Sequence, residues 1–322
     1  MSTEVNPVEI NSTSHSQGLH RFAVVCAAAT FILIFIGGLV TSTGSALAVP
    51  DWPLAFGHLI PKLQGGVRFE YGHRVAAGTV VILTLILAIW TWRAEPRSWV
   101  RKTAFAALGL VVVQAVLGGI TVLLLLPLPI AVAHAATAQA FFCVMVAIAI
   151  FTNPEFGAGP NVRSDYRHPR LATLAAVTTG IIYIQILIGA VMRHLGAGLA
   201  IPDFPLSYGH LIPPFLGLGV DVNFAHRCGA LVVTFFVLWV VIRVLRFHRG
   251  ERRLWHSAVL LLLLLITQIS LGALTIWSGR AVLPTTAHVA VGAAVLATSL
   301  TLTIRARAIG GLASASEAAR VR

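Results

Sequence analysis

The chain has 322 residues, of which 57% are hydrophobic and 11% charged, and its formal net charge is +12. With a mean hydropathy of +0.87, this composition excludes a soluble domain of this length. Apolar runs of about 18 residues or more, the length that a helix needs to cross a bilayer, recur along the chain. Backbone polar groups in lipid must be paired within their own segment, so these runs predict helices. We predict eight transmembrane helices, at about 22–43, 72–92, 102–124, 130–151, 171–192, 226–246, 255–277 and 285–305.

The positive charge indicates membrane topology and argues against nucleic-acid binding. When the loops are assigned alternately to the two sides of the membrane, 17 of the 23 Lys and Arg residues fall on one side. Such an excess marks the cytoplasmic face, so both termini are predicted to be cytoplasmic. The segment before the first helix has neither a basic region nor a cleavage site, so that helix is expected to be retained. We therefore expect a multi-pass protein of the plasma membrane, surrounded by lipid.

The helices divide into two sets of four. We predict an all-α integral membrane protein, in which the eight transmembrane helices form two tandem four-helix bundles related by a pseudo-twofold axis. The tails, about 1–19 and 308–322, are small and polar and are expected to be disordered. The predicted parts are a cytoplasmic tail at 1–21, an N-terminal bundle at 22–151, a cytoplasmic linker at 152–170, a C-terminal bundle at 171–305 and a cytoplasmic tail at 306–322.

An internal duplication supports this division. Residues Gly37–Pro61 read GGLVTSTGSALAVPDWPLAFGHLIP, and Gly189–Pro213 read GAVMRHLGAGLAIPDFPLSYGHLIP. The offset is 152 here, 153 at the His-Arg pairs that follow and 154 at a later histidine. A period this long indicates the duplication of a half-protein. The prolines around the acidic-aromatic pair predict a rigid loop, at about 44–71 and 193–225, over the outer end of each bundle.

Each half also carries two repeat-related histidines within apolar sequence. His73 and His134 begin the second and fourth predicted helices, and His226 and His288 begin the sixth and eighth. By the predicted topology all four lie at a similar depth, about one helical turn below the outer surface. Ionisable side chains at membrane depth are costly and usually functional. Two imidazoles at one level of a bundle suit a heme iron with two axial histidines, although interhelical hydrogen bonding is the alternative for each.

Residues next to these histidines extend the predicted sites. Arg74 and Arg227 follow them at the outer interface, where a guanidinium can pair with a heme propionate or simply extend to water. His58 and His210, in the GHLIP loops, are expected to brace those loops. Gln114 and Gln268 match each other and are expected to form interhelical hydrogen bonds.

The two halves differ at one acidic position. The first half has Glu70 one turn before His73, and the second half has Asn223 at the equivalent place. The i, i+3 spacing allows Glu70 and His73 to face one cavity. We therefore expect chemistry in the first half, with Glu70 as proton acceptor or stabiliser of a developing cation, and a permanent heme in the second. The alternative is that Glu70 is a solvated surface residue.

From about residue 22 to 305 the sequence resembles the heme A synthase family. The resemblance rests on TGSALAVPDWPLAFG, EYGHR, AHAATAQ and TTAHVAVG, together with the duplicated eight-helix layout. It implies that a methyl group of heme O is oxidised to the formyl group of heme A through successive hydroxylations, with water as the oxygen source. It also implies that His73 and His134 frame the heme O substrate, that His226 and His288 bind a heme b cofactor, and that Glu70 is needed for catalysis.

The same resemblance implies partners, and at one pair of positions this chain departs from the family pattern. Heme O synthase and a terminal oxidase or its assembly factors are candidate partners, and a homo-oligomer is a further candidate. Many bacterial members have a cysteine pair flanking the PDWPL motif, where this chain has Val49 and Ala55. The disulfide of those members therefore cannot form here. Two rival functions stay open: a di-heme b-type electron-transfer cytochrome, for which the difference between Glu70 and Asn223 has less purpose, and a heme transporter or chaperone.

The asymmetry of basic residues generates a test of topology. A reporter fused after Arg322 should be active only in its cytoplasmic form, and a reporter inserted near Gly65 only in its exterior form. Opposite results would invert the predicted orientation and place the histidine pairs near the cytoplasm.

Overall fold

The computed structural model describes residues 7–156, 168–214 and 216–320. Within these ranges all eight long helices have the length and hydropathy to cross a membrane, which confirms the predicted all-α, eight-helix class. A short 3-10 helix, Ala197–Leu199, lies in the second outer loop. The helices are α1 (Pro7–Ser42), α2 (Val67–Ala94), α3 (Ser98–Leu123), α4 (Leu128–Phe151), α5 (Leu171–His194), α6 (Leu218–Phe247), α7 (Arg252–Trp277) and α8 (Val282–Arg320).

The helices pack as two closed rings of four. In the N-terminal ring α1, α2, α3 and α4 each contact the next, and α4 returns to α1; α5 to α8 repeat this pattern. Each ring has its own apolar core, with Leu87, Met145 and Ile148 in the first and Val237 and Leu261 in the second. The rings meet where α1 contacts α8 and where α4 contacts α5 and α8. Exchanging the halves maps these contacts onto one another, as a pseudo-twofold axis would require; the axis itself stays a prediction.

The even-numbered helices begin earlier than predicted. Helix α2 begins at Val67 and α6 at Leu218, so the ends of both predicted outer loops are helical. Their first turns contain polar residues, which an apolar window excludes, but loop groups pair with these side chains. Each of the four histidines consequently lies six to eight residues inside its helix. At about 1.5 Å per residue this is roughly 9–12 Å along the axis from the start of each helix, and the depth of the histidines below the membrane surface stays a prediction.

The terminal helices are longer than the membrane requires. Helix α1 begins at Pro7 and α8 ends at Arg320, so disorder of residues 7–19 and 308–320 was a wrong prediction. At the start of the first span Leu19 is buried, and His20 Nδ1 lies 2.9 Å from the Ala149 carbonyl oxygen of α4, which holds this end against its bundle. Residues 157–167 of the predicted linker, together with 1–6 and 321–322, lie outside the described residues.

The outer loop of each half folds back on itself in the same way. Asp51 accepts hydrogen bonds from the backbone N–H groups of Phe56 (2.7 Å) and Gly57 (2.8 Å), both of which have positive φ. The Gly57 and Phe56 amides lower the pKa of the Asp51 carboxyl group. In the second loop Asp203 accepts from Tyr208 (2.7 Å) and Gly209 (2.8 Å), and the same donation lowers its pKa. The carboxylates therefore hold both turns in shape.

The first loop is anchored to its bundle by an aromatic side chain. A Cβ atom placed on Gly119 of α3 would lie 2.6 Å from Trp52, so the indole rests directly on the helix backbone. In the second half Phe204 packs edge-on against Trp277 of α7, with ring centroids 6.2 Å apart. Each loop thus covers one end of its own bundle, and that this end is the outer one stays a prediction.

Candidate heme-binding sites

Each of the four histidines lies against a glycine on the preceding helix. A Cβ atom placed on the glycine would lie about 3 Å from Cε1 of the ring, which is closer than side-chain contacts normally allow. The pairs are Gly37 with His73 (3.1 Å), Gly118 with His134 (3.1 Å), Gly189 with His226 (2.9 Å) and Gly272 with His288 (3.1 Å). The absence of a side chain at these glycines lets the imidazoles fit between closely spaced helices. Sequence analysis did not assign these contacts, although all four glycines lie in the repeated segments.

The histidines of the C-terminal half face one another across the bundle. The ring centroids of His226 and His288 are 6.4 Å apart, and the ring planes meet at 73°. Two imidazoles that bind one metal from opposite sides, with bonds of about 2.0–2.1 Å and about 1.1 Å from nitrogen to ring centre, have centroids about 6.3 Å apart. The pair therefore fits an iron bound between two axial histidines.

The donor set favours heme over other metal sites. Zinc and non-heme iron sites generally need three or more protein ligands. Within the described ranges no group of three or more His, Cys, Asp or Glu side chains is placed to hold a metal ion. The N-terminal half again has two histidines at the matching positions, His73 and His134.

The two halves differ in what binds Nδ1 of the imidazoles. His288 Nδ1 lies 3.1 Å from the carbonyl oxygen of Gln268, and His226 Nδ1 lies 3.0 Å from the side-chain amide of Gln185. In the N-terminal half Nδ1 of His73 and Nδ1 of His134 are buried without a hydrogen-bond partner. A partner at Nδ1 fixes the orientation of a histidine that binds metal through Nε2. The Gln268 carbonyl oxygen can accept a hydrogen bond from Nδ1–H of His288, whereas the Gln185 amide nitrogen can only donate to Nδ1 of His226. Only His288 therefore has the Nδ1 partner that suits a histidine bound to metal through Nε2.

The expected glutamine contacts are present, together with one that the sequence did not indicate. Gln114 lies 3.3 Å from Nε2 of His134, and Gln268 lies 3.4 Å from Nε2 of His288, each across a pair of helices. Gln185 has Leu33 as its repeat counterpart and therefore did not stand out. Gln185 could have been found by looking for polar residues in one half whose repeat counterparts in the other half are apolar.

Glu70 is buried and holds the first loop against α2. It is 4% exposed, accepts a hydrogen bond from the Val49 backbone N–H (2.8 Å) and forms an ion pair with Arg74 (2.6 Å). The solvated alternative for Glu70 is therefore excluded. Asn223 makes equivalent contacts, donating to the Ala197 carbonyl oxygen (2.9 Å) and accepting from Arg227 Nε (3.0 Å). The two positions share a structural role and differ in charge.

The two outer arginines bind loop carbonyl groups. Arg74 donates to Asp51 (2.7 Å), Leu54 (2.9 Å) and Val49 (3.2 Å). Arg227 donates to the carbonyl groups of Leu206 (2.7 Å) and Ile201 (3.0 Å). Pairing of Arg74 and Arg227 with heme propionates stays a prediction, and it would compete with these bonds. His58 and His210 lie in the same loops, where their backbones form bridges to Ala55 and Ser207.

The glycine contacts generate a paired test on α5. Gly189→Ala should displace His226, since its Cβ would lie 2.9 Å from the ring, whereas Cβ at Gly180 would meet nothing within 4 Å. Overpacking costs about 1–3 kcal/mol, so Gly189→Ala should weaken heme binding by at least about fivefold. Gly180→Ala, which makes the same change in helix propensity, should bind heme like the parent protein. Equal heme titrations for both variants would show that the contact does not constrain the ring.

Comparison with known proteins agrees with this arrangement. The model of the COX15-CtaA family, described as cytochrome oxidase assembly protein, matches residues 20–70 and 69–300, which include all four histidines. The heme A synthase of Symbiobacterium thermophilum is 31% identical over 80% of this chain and 85% of its own length. Those of Shouchella clausii and Listeria monocytogenes are each 28% identical, over 83% and 77% of this chain and 89% and 82% of their own. The chain therefore belongs to the COX15-CtaA family, the family of the heme A synthases.

Proposed function

We propose that this protein is a heme A synthase, an oxidoreductase that converts the ring methyl group of heme O to a formyl group. The observation that carries the proposal is the presence in each bundle of two repeat-related histidines, each packed against a glycine, in a member of this family. Two successive hydroxylations with oxygen from water each remove two electrons and two protons. Loss of water from the resulting geminal diol leaves the aldehyde. The electrons pass to an acceptor outside this chain.

The two bundles bind different hemes, a cofactor in one and the substrate in the other. His226 and His288 hold a resident heme b, which when bound supplies one-electron redox chemistry. Support comes from their 6.4 Å separation and from the Gln268 carbonyl oxygen, which can hold the orientation of His288 through its Nδ1. His73 and His134 bind the iron of heme O. Their Nδ1 atoms lack partners, as suits ligands that must accept substrate and then release product.

Glu70 is the catalytic carboxylate of the N-terminal site. Its position three residues before His73 on α2 and its burial support a role in accepting a proton or in stabilising positive charge on the substrate. The equivalent Asn223 makes similar loop contacts without a charge. The charge, and not the loop contact, therefore distinguishes the reacting half.

The proposed function includes an orientation in the membrane and a set of partners. Both termini are cytoplasmic and the heme sites lie near the outer face of the plasma membrane, where the loops cover them. The farnesyl tail of heme O reaches the active site from the surrounding lipid. Heme O synthase would supply the substrate, and a terminal oxidase or its assembly factors would receive the product. Homo-oligomerisation is part of this proposal.

One observation favours a second candidate, a di-heme b-type electron carrier. Because Glu70 and Asn223 brace their loops in the same way, a loop role alone accounts for both residues. The pigments extracted from the purified protein separate the candidates. Heme O or heme A beside heme b supports the synthase, whereas heme b alone in both sites supports the carrier.

Loss of either C-terminal ligand tests the assignment of the cofactor. His226→Ala and His288→Ala should each remove the low-spin bis-imidazole spectrum of heme b, since one imidazole cannot hold both axial positions. A full bis-imidazole spectrum in both variants would show that heme b lies elsewhere. His210→Ala, which changes an exposed loop histidine, is the control and should keep the spectrum.

A change at Glu70 separates chemistry from folding. Glu70→Gln keeps an acceptor for the Val49 N–H but removes the charge, so the protein should fold and retain heme b. Formation of heme A should fall by at least about tenfold, since general acid–base groups typically contribute about 10²–10⁴ in rate. Heme O or a partly oxidised intermediate should accumulate. Asn223→Asp, the matched change in the other half, should leave activity largely intact. Near-normal heme A formation by Glu70→Gln would reduce Glu70 to a loop brace.

A further inference from the structure

A half-buried arginine, Arg193, joins the two bundles at the end that the loops cover. Arg193 lies in the last turn of α5, and its Nη2 donates to the Gly38 carbonyl oxygen (2.8 Å) and to the Ser42 hydroxyl (2.9 Å) of α1. Both acceptors are neutral. An ionised group at membrane depth is costly unless it is paired or functional, so this guanidinium calls for an explanation beyond the contact with α1.

A second arginine lies close to the first. Arg280 is in the turn between α7 and α8, where it has a φ of 68°, and its side chain lies against Gly198. The Gly198 carbonyl oxygen in turn accepts from Asn223 Nδ2 (3.4 Å), three residues before His226, so Arg280 lies at the same end of the C-terminal bundle as Arg193. Neither arginine pairs with an acidic side chain in the part of the chain that the structure describes. Two cations at one end of a bundle that lack acidic partners are suited to bind an anion.

The position of Arg193 relates this anion site to the heme site. Gly189, which lies against His226, is four residues before Arg193 on α5. The arginine is therefore on the same face of α5, one turn or about 6 Å closer to the outer end. A heme held by His226 and His288 has two propionate carboxylates on one edge of its ring. Guanidinium groups bind carboxylates through strong, charge-assisted hydrogen bonds.

The N-terminal half lacks both cations. Thr41 occupies the position of Arg193, and its hydroxyl donates to the Gly37 carbonyl oxygen (3.1 Å) within its own helix. Leu126 occupies the position of Arg280. The backbone supports this equivalence, because Leu125 and Leu126 have positive φ, as do Gly279 and Arg280. The difference in charge is therefore carried by side chains on matching turns.

We propose that Arg193 and Arg280 form a carboxylate-binding site for the propionates of the heme in the C-terminal bundle. The site rests on the proposed function only in placing a heme between His226 and His288. It gives the C-terminal heme a contact that the N-terminal heme lacks, so one is retained as a cofactor while the other is free to exchange as substrate. Arg74 and Arg227 have loop carbonyl partners in both halves and do not create this difference.

The test compares heme b with its dimethyl ester, in which the propionates cannot ionise. The full chain is used in a His73→Ala background, so that only the C-terminal site is loaded, and heme release to excess apomyoglobin is timed. With heme b, Arg193→Gln and Arg280→Gln should each speed release by about tenfold or more, as expected for loss of a charge-assisted hydrogen bond. With the dimethyl ester, both variants should release at the rate of the protein that retains the arginines.

Matched variants separate recognition from folding. Arg280→Gln leaves the Arg193 contacts with α1 intact, so its effect cannot come from loosening of the two bundles. Arg68→Gln removes an exposed arginine from the outer end of α2 and should not change release. Equal acceleration for heme b and its ester would show a packing role and overturn the proposal, as would unchanged release in both glutamine variants.

The proposed function is tested by measuring product formation instead of heme release. Heme O to heme A conversion is measured in the same variants without the His73→Ala change. Conversion without an effect of the arginines on heme release would reject the carboxylate site alone. Arginine-dependent release without any conversion would reject the synthase assignment alone. A chain that binds no heme would reject both.

Discussion

The close approach of an imidazole to a helix backbone is the constraint on which the rest of the structure depends. Glycines on the odd-numbered helices leave room for the histidines on the even-numbered helices. This spacing sets the distance between adjacent helices at the level of the proposed irons. It also encloses the rings where water is scarce, so an unpaired polar atom such as Nδ1 of His73 is costly. The outer loops, with their carboxylate-braced turns, complete the enclosure above that level.

Much of this arrangement could be predicted because the chain contains two copies of one sequence, which can be compared with each other. The offset between the repeats selects the four histidines, and hydropathy locates all eight helices. The starts of α2 and α6 were misplaced because their first turns contain residues such as Glu70 and Asn223, whose partners are loop groups distant in sequence. A hydropathy average records that such residues are polar. It does not record the hydrogen bonds that allow them to lie inside a helix bundle.

Other features were beyond sequence analysis for a related reason. Comparison of the repeats emphasised residues that match, whereas Gln185 and Arg193 are polar residues opposite Leu33 and Thr41. Their roles depend on which helix lies across from them, as with Arg193 and α1. Likewise, the expectation of a disordered N-terminal tail up to residue 19 overlooked the packing of Leu19 onto the first bundle, next to the contact of His20 with α4.

The fusion of two repeats into one chain has a genetic consequence. In a symmetric dimer of a four-helix protein, every substitution would occur in both bundles at once. Neither a carboxylate nor a cation could then be confined to one site. A single gene that encodes both bundles lets mutation act on each separately, and the pairs Glu70 with Asn223 and Thr41 with Arg193 show such independent divergence. Covalent linkage of the halves is thus what allows two sites of common origin to take up unequal roles.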